Sequence, residues 1–304
     1  MSAPAKIPAQ FFNAIPFHRQ GITGKNITVA VMDSGISPHP DIHPSRILAF
    51  EDFVEVSPHA SNSRFSRYDH PLRQTPSAAF YDDFSHGTHV AGIIASDKIG
   101  IAPECNLVSL KVLDHHGNGS SGQFVEALKW LLLHQNIYNI RILNISIGGS
   151  QAHLKDENAP LNLWVNKLWE NGITVCCSAG NNGPSPDSIT APGNCKKVIT
   201  VGSSDGKRYS SAGPLLPYIT KPELVAPGTH VLSLKPGGGY HIKSGTSMSV
   251  PFISGACALL LQLYPHLTND QIKIRLMEAA RTVPYLPYNM QGAGVLSLQK
   301  LLYH

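Results

Sequence analysis

Charge is scarce in this chain. Asp, Glu, Lys and Arg make up only 14% of its 304 residues, against about 25% in an average globular protein. With 42% apolar residues, this is the reverse of a disordered composition. Runs of one sign are also missing. The 24 basic and 20 acidic residues leave +4, and the densest basic pairs are Lys196-Lys197 and Lys207-Arg208. No stripe is present to hold a nucleic acid or a membrane surface. No apolar run reaches the ~20 residues that cross a bilayer. The nearest, Val250 to Tyr264, contains Pro251, Ser254 and Gln262 and reads as a buried core helix.

Cysteines number five, an odd count: Cys105, Cys176, Cys177, Cys195 and Cys257. Their spacing fits neither a disulfide scaffold nor a zinc ribbon, and several sit in apolar runs as reduced core thiols do. The N-terminal MSAPAKIPAQFFNAIPF has no continuous apolar stretch of signal-peptide length. That points to a cytoplasmic protein, or to a secreted one if the chain is a processed mature form. Glycine and proline are plentiful, 26 and 23, with no period, which excludes collagen and implies many tight turns.

Short β-branched runs alternate with helical patterns. Ile27–Asp33, Leu107–Leu113, Ile142–Gly148, Ile173–Ala179 and Val198–Ser203 are mostly apolar at consecutive positions, as in a parallel sheet covered on both faces. Phe124, Leu128, Leu131 and Leu132 keep a helical period, as do Leu161, Trp164, Val165, Leu168 and Trp169. Pro160 opens the second of these and Gly172 closes it. Thr268 and Gln271 form a capping box before Ile272. The fold class is α/β, three layers around a mostly parallel sheet. Glu51 to Asp83 has no period and reads as a long surface loop.

Three segments put a reactive side chain among small residues: Asp33-Ser34-Gly35-Ile36, His86-Gly87-Thr88-His89-Val90-Ala91-Gly92, and Gly245-Thr246-Ser247-Met248-Ser249-Val250-Pro251. Asp33 falls at the carboxyl edge of a buried strand, where parallel sheets place their sites. Taken alone, it reads equally well as a turn cap. Ser247 opens the apolar helix, with Pro251 expected in its first turn. Asp, His and Ser together suggest nucleophilic acyl transfer, in which an imidazole takes the serine proton and a carboxylate holds the imidazole. The chain order Asp33, His86, Ser247 is neither that of the α/β-hydrolases nor that of the chymotrypsin-like enzymes.

With those three signatures in that order, the chain resembles the subtilisin-like serine proteases over nearly its whole length, from about Ile15. The resemblance implies a subtilisin-like fold, with a peptidase domain over 15–304 behind a short extension, 1–14. It implies a serine endopeptidase working through Asp33, His86 and Ser247. Ser178-Ala179-Gly180-Asn181-Asn182-Gly183 resembles the family segment that supplies the oxyanion amide, which falls on Asn181. Ser146, Ile147 and Gly148 resemble the pocket for the residue before the scissile bond. Ser120, Ser121 and Gly122 resemble the edge strand that pairs with substrate backbone. Ala191-Pro192 resembles the family's cis turn.

The family's calcium-binding insertion is missing after the His86 helix. Asp41 resembles one ligand of that ion, but most of its partners are lacking. No cofactor is required, and any calcium binding is weak. The expected partner is a protein or peptide substrate, not a nucleic acid or a membrane; oligomeric state stays open. Only about a dozen residues precede the protease-like region, and Met1–Asn13 reads as a disordered tail or a cap over the cleft.

Blander readings compete at several positions. Gly117, Gly119 and Gly122 match a dinucleotide fingerprint, but the acid about twenty residues on is missing. His86 and His89 are spaced like a metal pair but lack a third ligand, so His89 reads as a structural helix residue. His115-His116 read as a solvated turn, and Met248 as packing beside the nucleophile. Two other functions fit the same residues: a catalytically silent binding module on this fold, and a peptide ligase or cyclase in which an amine replaces water.

Overall fold

The computed structural model describes residues 4–54, 80–147, 159–215 and 220–303. Among them, the strands are β1 (Thr28–Asp33), β2 (Ile47–Asp52), β3 (Asn106–Lys111), β4 (Ile140–Ile145), β5 (Thr174–Ser178) and β6 (Ile199–Ser203). They continue with β7 (Leu224–Ala226), β8 (Val231–Leu234), β9 (Tyr240–Lys243), β10 (Ala280–Arg281) and β11 (Val295–Leu296). Nine strands make one sheet in the order β10-β11-β7-β6-β5-β4-β1-β3-β2, parallel except where β10 meets β11. The two left over, β8 and β9, form a separate antiparallel hairpin.

The helices are α1 (Pro8–Phe11), α2 (Ile15–His18), α3 (Gly87–Ala95), α4 (Ser121–His134) and α5 (Pro160–Glu170). After these come α6 (Thr246–Leu263), α7 (Asn269–Glu278), α8 (Tyr288–Gln291) and α9 (Leu298–Tyr303). Every residue of β1, β5 and β6 is buried, the mark of a sheet covered on both faces. This is the α/β architecture expected. All five anticipated strands form, with ends displaced by up to three residues; β3 and β4 begin before the anticipated start.

The helix signals hold locally. Pro160 is the first residue of α5 and Gly172 follows that helix at φ 83°. Thr268 and Gln271 make a reciprocal capping box on α7. The apolar run anticipated as a core helix is α6, long and apolar enough to cross a membrane by composition, yet 83% of that stretch is buried inside the protein. It packs against α3 and across β4, β5 and β6. At ~25 cal/mol per Å² of apolar surface, such a helix is a main source of core stability.

Two expectations need correction. From Pro4 onward, the N-terminal segment is neither tail nor cap. Lys6 hydrogen-bonds the hairpin backbone at His230 and Leu232, and Phe12 packs edge-on against Phe252 of α6 at 5.2 Å. Ala9, Phe12 and Ala14 belong to the main core, because three apolar side chains gain more by burial than a free tail would. The loop reading of 51–83 also fails at its margins. Glu51 and Asp52 pair with β3, and Asp82 bridges to Gly35; residues 55–79 lie outside the described residues.

Candidate active site

Because β1, β3, β4 and β5 are parallel, their carboxyl ends share one edge, the usual place for a site in such sheets. Asp33 is the last residue of β1, buried to 1% exposure. His86 is the cap residue of α3. Its Nδ1 lies 2.8 Å from Asp33 Oδ1 and 3.0 Å from Oδ2. Close approach of α3 to β1 makes this contact possible. A Cβ on Gly87 would stand 2.1 Å from the Gly35 carbonyl, so only glycine lets the helix begin there.

Asp82 braces this junction. Its carboxylate accepts from Ser34 Oγ, the Phe84, Ser85 and Thr88 amides, and Thr88 Oγ1. Those bonds hold Ser85 in the left-handed region at φ 68°, a strained conformation that the carboxylate offsets. Lys111, the last residue of β3, is buried to 1% and donates to the Ser34 and Leu113 carbonyls and to Asp83 at 2.6 Å. Asp82 and Lys111 were invisible in the sequence. A doubled acid before His86 was the only signal for the first, and nothing signalled the second.

Ser247 is the second residue of α6 and half-buried. Ser247 and His86 line one cavity of about 400 Å³, with Phe84, Leu113, Ser146 and Ile147. The two side chains are not hydrogen-bonded to each other in this structure. Pro251 sits sixth in α6, not in its first turn as the sequence suggested. The helix starts earlier, at Thr246, so the missing Pro251 N–H deprives the Ser247 carbonyl of its intrahelical donor.

Asn181 follows β5 by three residues. Its Oδ1 accepts from the Thr246 amide at 3.0 Å and from Thr246 Oγ1 at 3.1 Å. With Oδ1 so engaged, Nδ2 is the free, donating end of the amide. It lies 3.2 Å from where a Cβ on Gly245 would stand, and Gly245 is at φ 148°, so glycine keeps this approach clear.

The expected substrate-binding residues divide. Ser146 and Ile147 line the cavity, with Ser146 fixed by Asn144 Nδ2 at 2.8 Å and Asn144 tied in turn to Ser254 of α6. Gly148 lies outside the described residues. Ser120, Ser121 and Gly122 do not form a strand. Ser120 caps α4 in a capping box with Gln123, and the other two occupy its first turn, because Ser followed at the third position by Gln satisfies the helix's free amides. The cavity wall is made instead by Gly117, Asn118, Gly119 and Phe124.

Electrostatics favour an imidazole kept basic. Burial lowers the His86 pKa, but the Asp33 charge and hydrogen bond outweigh it, and the net position is above the ordinary value. His89 is fully buried, its Nε2 3.2 Å from the Val231 carbonyl. Burial, with His241 beside it, holds its pKa at about 3, so it is a neutral packing residue. Met248 is buried. The Ala191–Pro192 bond is cis, as are Gly183–Pro184 and Lys221–Pro222. All five cysteines are free and buried. Among the described residues no group of three or more His, Cys, Asp and Glu is placed to hold a metal. Asp41 pairs with Lys98 Nζ at 2.8 Å and accepts from the Tyr240 hydroxyl.

The whole pattern has relatives. Residues 24–294 match the model of the subtilase family of peptidases. The chain is 34% identical to serine protease AprX of Bacillus subtilis (strain 168), over 92% of this chain and 67% of that protein. It is also 34% identical to the subtilisin of Bacillus pumilus, covering 93% of each. A solved structure of a cold-adapted subtilisin-like serine proteinase superposes with a TM-score of 0.67 at 27% identity, over 90% of this chain and 88% of that one. Agreement of this extent, over the same residues that carry the sheet and the cavity, means that the chain belongs to the subtilase family and is a serine-type endopeptidase.

Proposed function

We propose that the chain hydrolyses peptide bonds through Ser247, His86 and Asp33 by way of an acyl-enzyme, with Asn181 and the Ser247 amide stabilising the oxyanion. The observation that carries this is the 2.8 Å Asp33–His86 contact through Nδ1, which leaves Nε2 for the cavity that Ser247 lines. As Ser247 Oγ bonds to the carbonyl carbon, its proton passes to His86 Nε2 and the carbonyl π pair moves onto oxygen. Asp33 keeps the imidazole in the required tautomer and balances its positive charge. Collapse re-forms the carbonyl and breaks the C–N bond, and His86 gives its proton to the leaving amine. Water then repeats the sequence and frees Ser247.

The substrate is a protein or peptide. Ser146, Ile147 and Gly148 serve the residue before the scissile bond, and the turn leading into Ser120–Gly122 flanks the substrate backbone. Residues 15–304 form the catalytic unit, with the short N-terminal extension packed onto it. Asp41 is not a calcium ligand in this reading: a lysine ammonium already neutralises it, and catalysis needs no metal.

Labelling with a fluorophosphonate, followed by peptide mass spectrometry, tests the assignment. An adduct on Ser247 that disappears in Ser247→Ala is the expected result. Peptide cleavage persisting in Ser247→Ala would overturn it. Cleavage products that have taken up water and no amine, even when competing amines are present, distinguish hydrolysis from ligation.

A further inference from the structure

The β8–β9 hairpin places one cation over Phe84, a wall of the cavity, with no anion among the described residues to meet it. Lys243 is the last residue of β9 and half-buried. Its Nζ stands over the Phe84 ring, 5.8 Å from the centroid. Phe84 in turn lies against Gly117, two residues before His86, and lines the cavity. Lys243 has no ion pair or hydrogen bond to any described residue.

The carboxylates nearby are already taken. Asp33 is bonded to His86 and to the Ser34 amide. Asp82 is saturated by inward-facing donors. Asp83 pairs with Lys111. A half-buried ammonium that keeps only a ring face has lost hydration without gaining a counter-charge. Consistent with that, burial lowers the Lys243 pKa, and the Asp82 and Asp33 charges only partly offset it.

Resting on the triad reading above, we infer that Lys243 is a specificity-determining residue that binds an acidic side chain of the substrate just after the scissile bond. The side follows from the chemistry. The leaving amine takes its proton from His86, so the departing half of the substrate passes over His86. The Phe84 ring beneath Lys243 lies 6.3 Å from the imidazole, centroid to centroid. The acyl half lies toward Ser146 and Ile147 instead. An Asp or Glu in the first two positions of the leaving half supplies the counter-ion that no described residue provides. Substrates with Lys or Arg there meet a like charge.

The experiment is cleavage of a peptide library varied at those two positions, read as ratios of kcat/KM for Glu, Gln and Lys. Wild-type enzyme is expected to prefer Glu over Gln by about three- to tenfold, tenfold being about 1.4 kcal/mol. The ratio should fall toward one between about 0.01 and 1 M salt, where the screening length shrinks from about 30 to 3 Å. Lys243→Gln abolishes the ratio and Lys243→Glu inverts it in favour of Lys. Wild-type cleavage with no acidic preference at low salt overturns the inference, as does a preference unchanged in Lys243→Gln. Neither result touches the triad, which fails only if Ser247→Ala still cleaves.

Discussion

Replacing Asn181 by Leu keeps the side chain's bulk and removes both ends of its amide. In the resting structure the Oδ1 end is held by Thr246, through the amide at 3.0 Å and the hydroxyl at 3.1 Å, so the Nδ2 end is already aimed when charge develops. Such a preset donor contributes about 2.7–4 kcal/mol, a factor of about 10² to 10³ in kcat, a range set by measurements on a subtilisin amide. Because the donor meets the oxyanion and not the ground-state carbonyl, KM should change little. Thr246→Val removes one of the two bonds that hold Asn181. A neutral hydrogen bond is worth about 0.5–1.5 kcal/mol, so this variant should lose about 2- to 12-fold. The two effects share one route, and the double variant should be no slower than Asn181→Leu alone. Steady-state kinetics on a chromogenic peptide, with thermal unfolding to confirm folding, measures all three. A loss under tenfold in Asn181→Leu, or an undiminished Thr246→Val penalty on top of it, would refute the geometry.

Four further outcomes follow from the site and the core. His86 must be neutral to accept the Ser247 proton, and its pKa is raised, so kcat/KM should fall as pH drops through a midpoint above 6.5; Asp33→Asn should move that midpoint down and cut kcat by about 10⁴. Glu223 is buried against Lys221, with Lys273 also on its carboxylate. Glu223→Gln should cost about 3–5 kcal/mol in urea unfolding, since Lys221 would be left unpaired, and Lys273→Ala should cost less. Burial pushes Cys105 up to about 12 and raises Cys177 as well, so native enzyme should resist iodoacetamide, with all five thiols reacting once it is unfolded. With Lys98 seated on Asp41, a chelator should leave the melting temperature unchanged, whereas Lys98→Ala should lower it equally with and without calcium.

The central strands were legible because each is mostly apolar at consecutive positions, as a sheet covered on both faces demands. β2 was not, because Ile47–Asp52 is half-buried and ends in two acids, which reads like the start of the loop after it. β7 is three residues long, too short for any period to show. The β9 strand Tyr240–Lys243 alternates exposed and half-buried positions, but its polar composition hid that. Ser120 shows a different failure. A short motif can match a strand-forming segment and still fold as a helix cap, when the local Ser120–Gln123 capping chemistry decides the backbone.

Within the site, residues whose chemistry is unusual in itself could be read, and residues whose role depends on a tertiary neighbour could not. Asp33, His86 and Ser247 stand among glycines and alanines because other elements must approach them closely, and that crowding leaves a local trace such as Gly87 against Gly35. Lys111 leaves none: in Val108-Ser109-Leu110-Lys111-Val112-Leu113 it reads as a strand end. Its burial makes sense only once the Ser34 and Leu113 carbonyls and Asp83 are brought to it. Lys243 is the same case with the opposite result, a cation brought to a site where no anion among the described residues waits. Reaction type is therefore carried by short segments that sequence exposes. Substrate preference is carried by pairs of segments that only the fold joins, here the β8–β9 hairpin against the Phe84 turn.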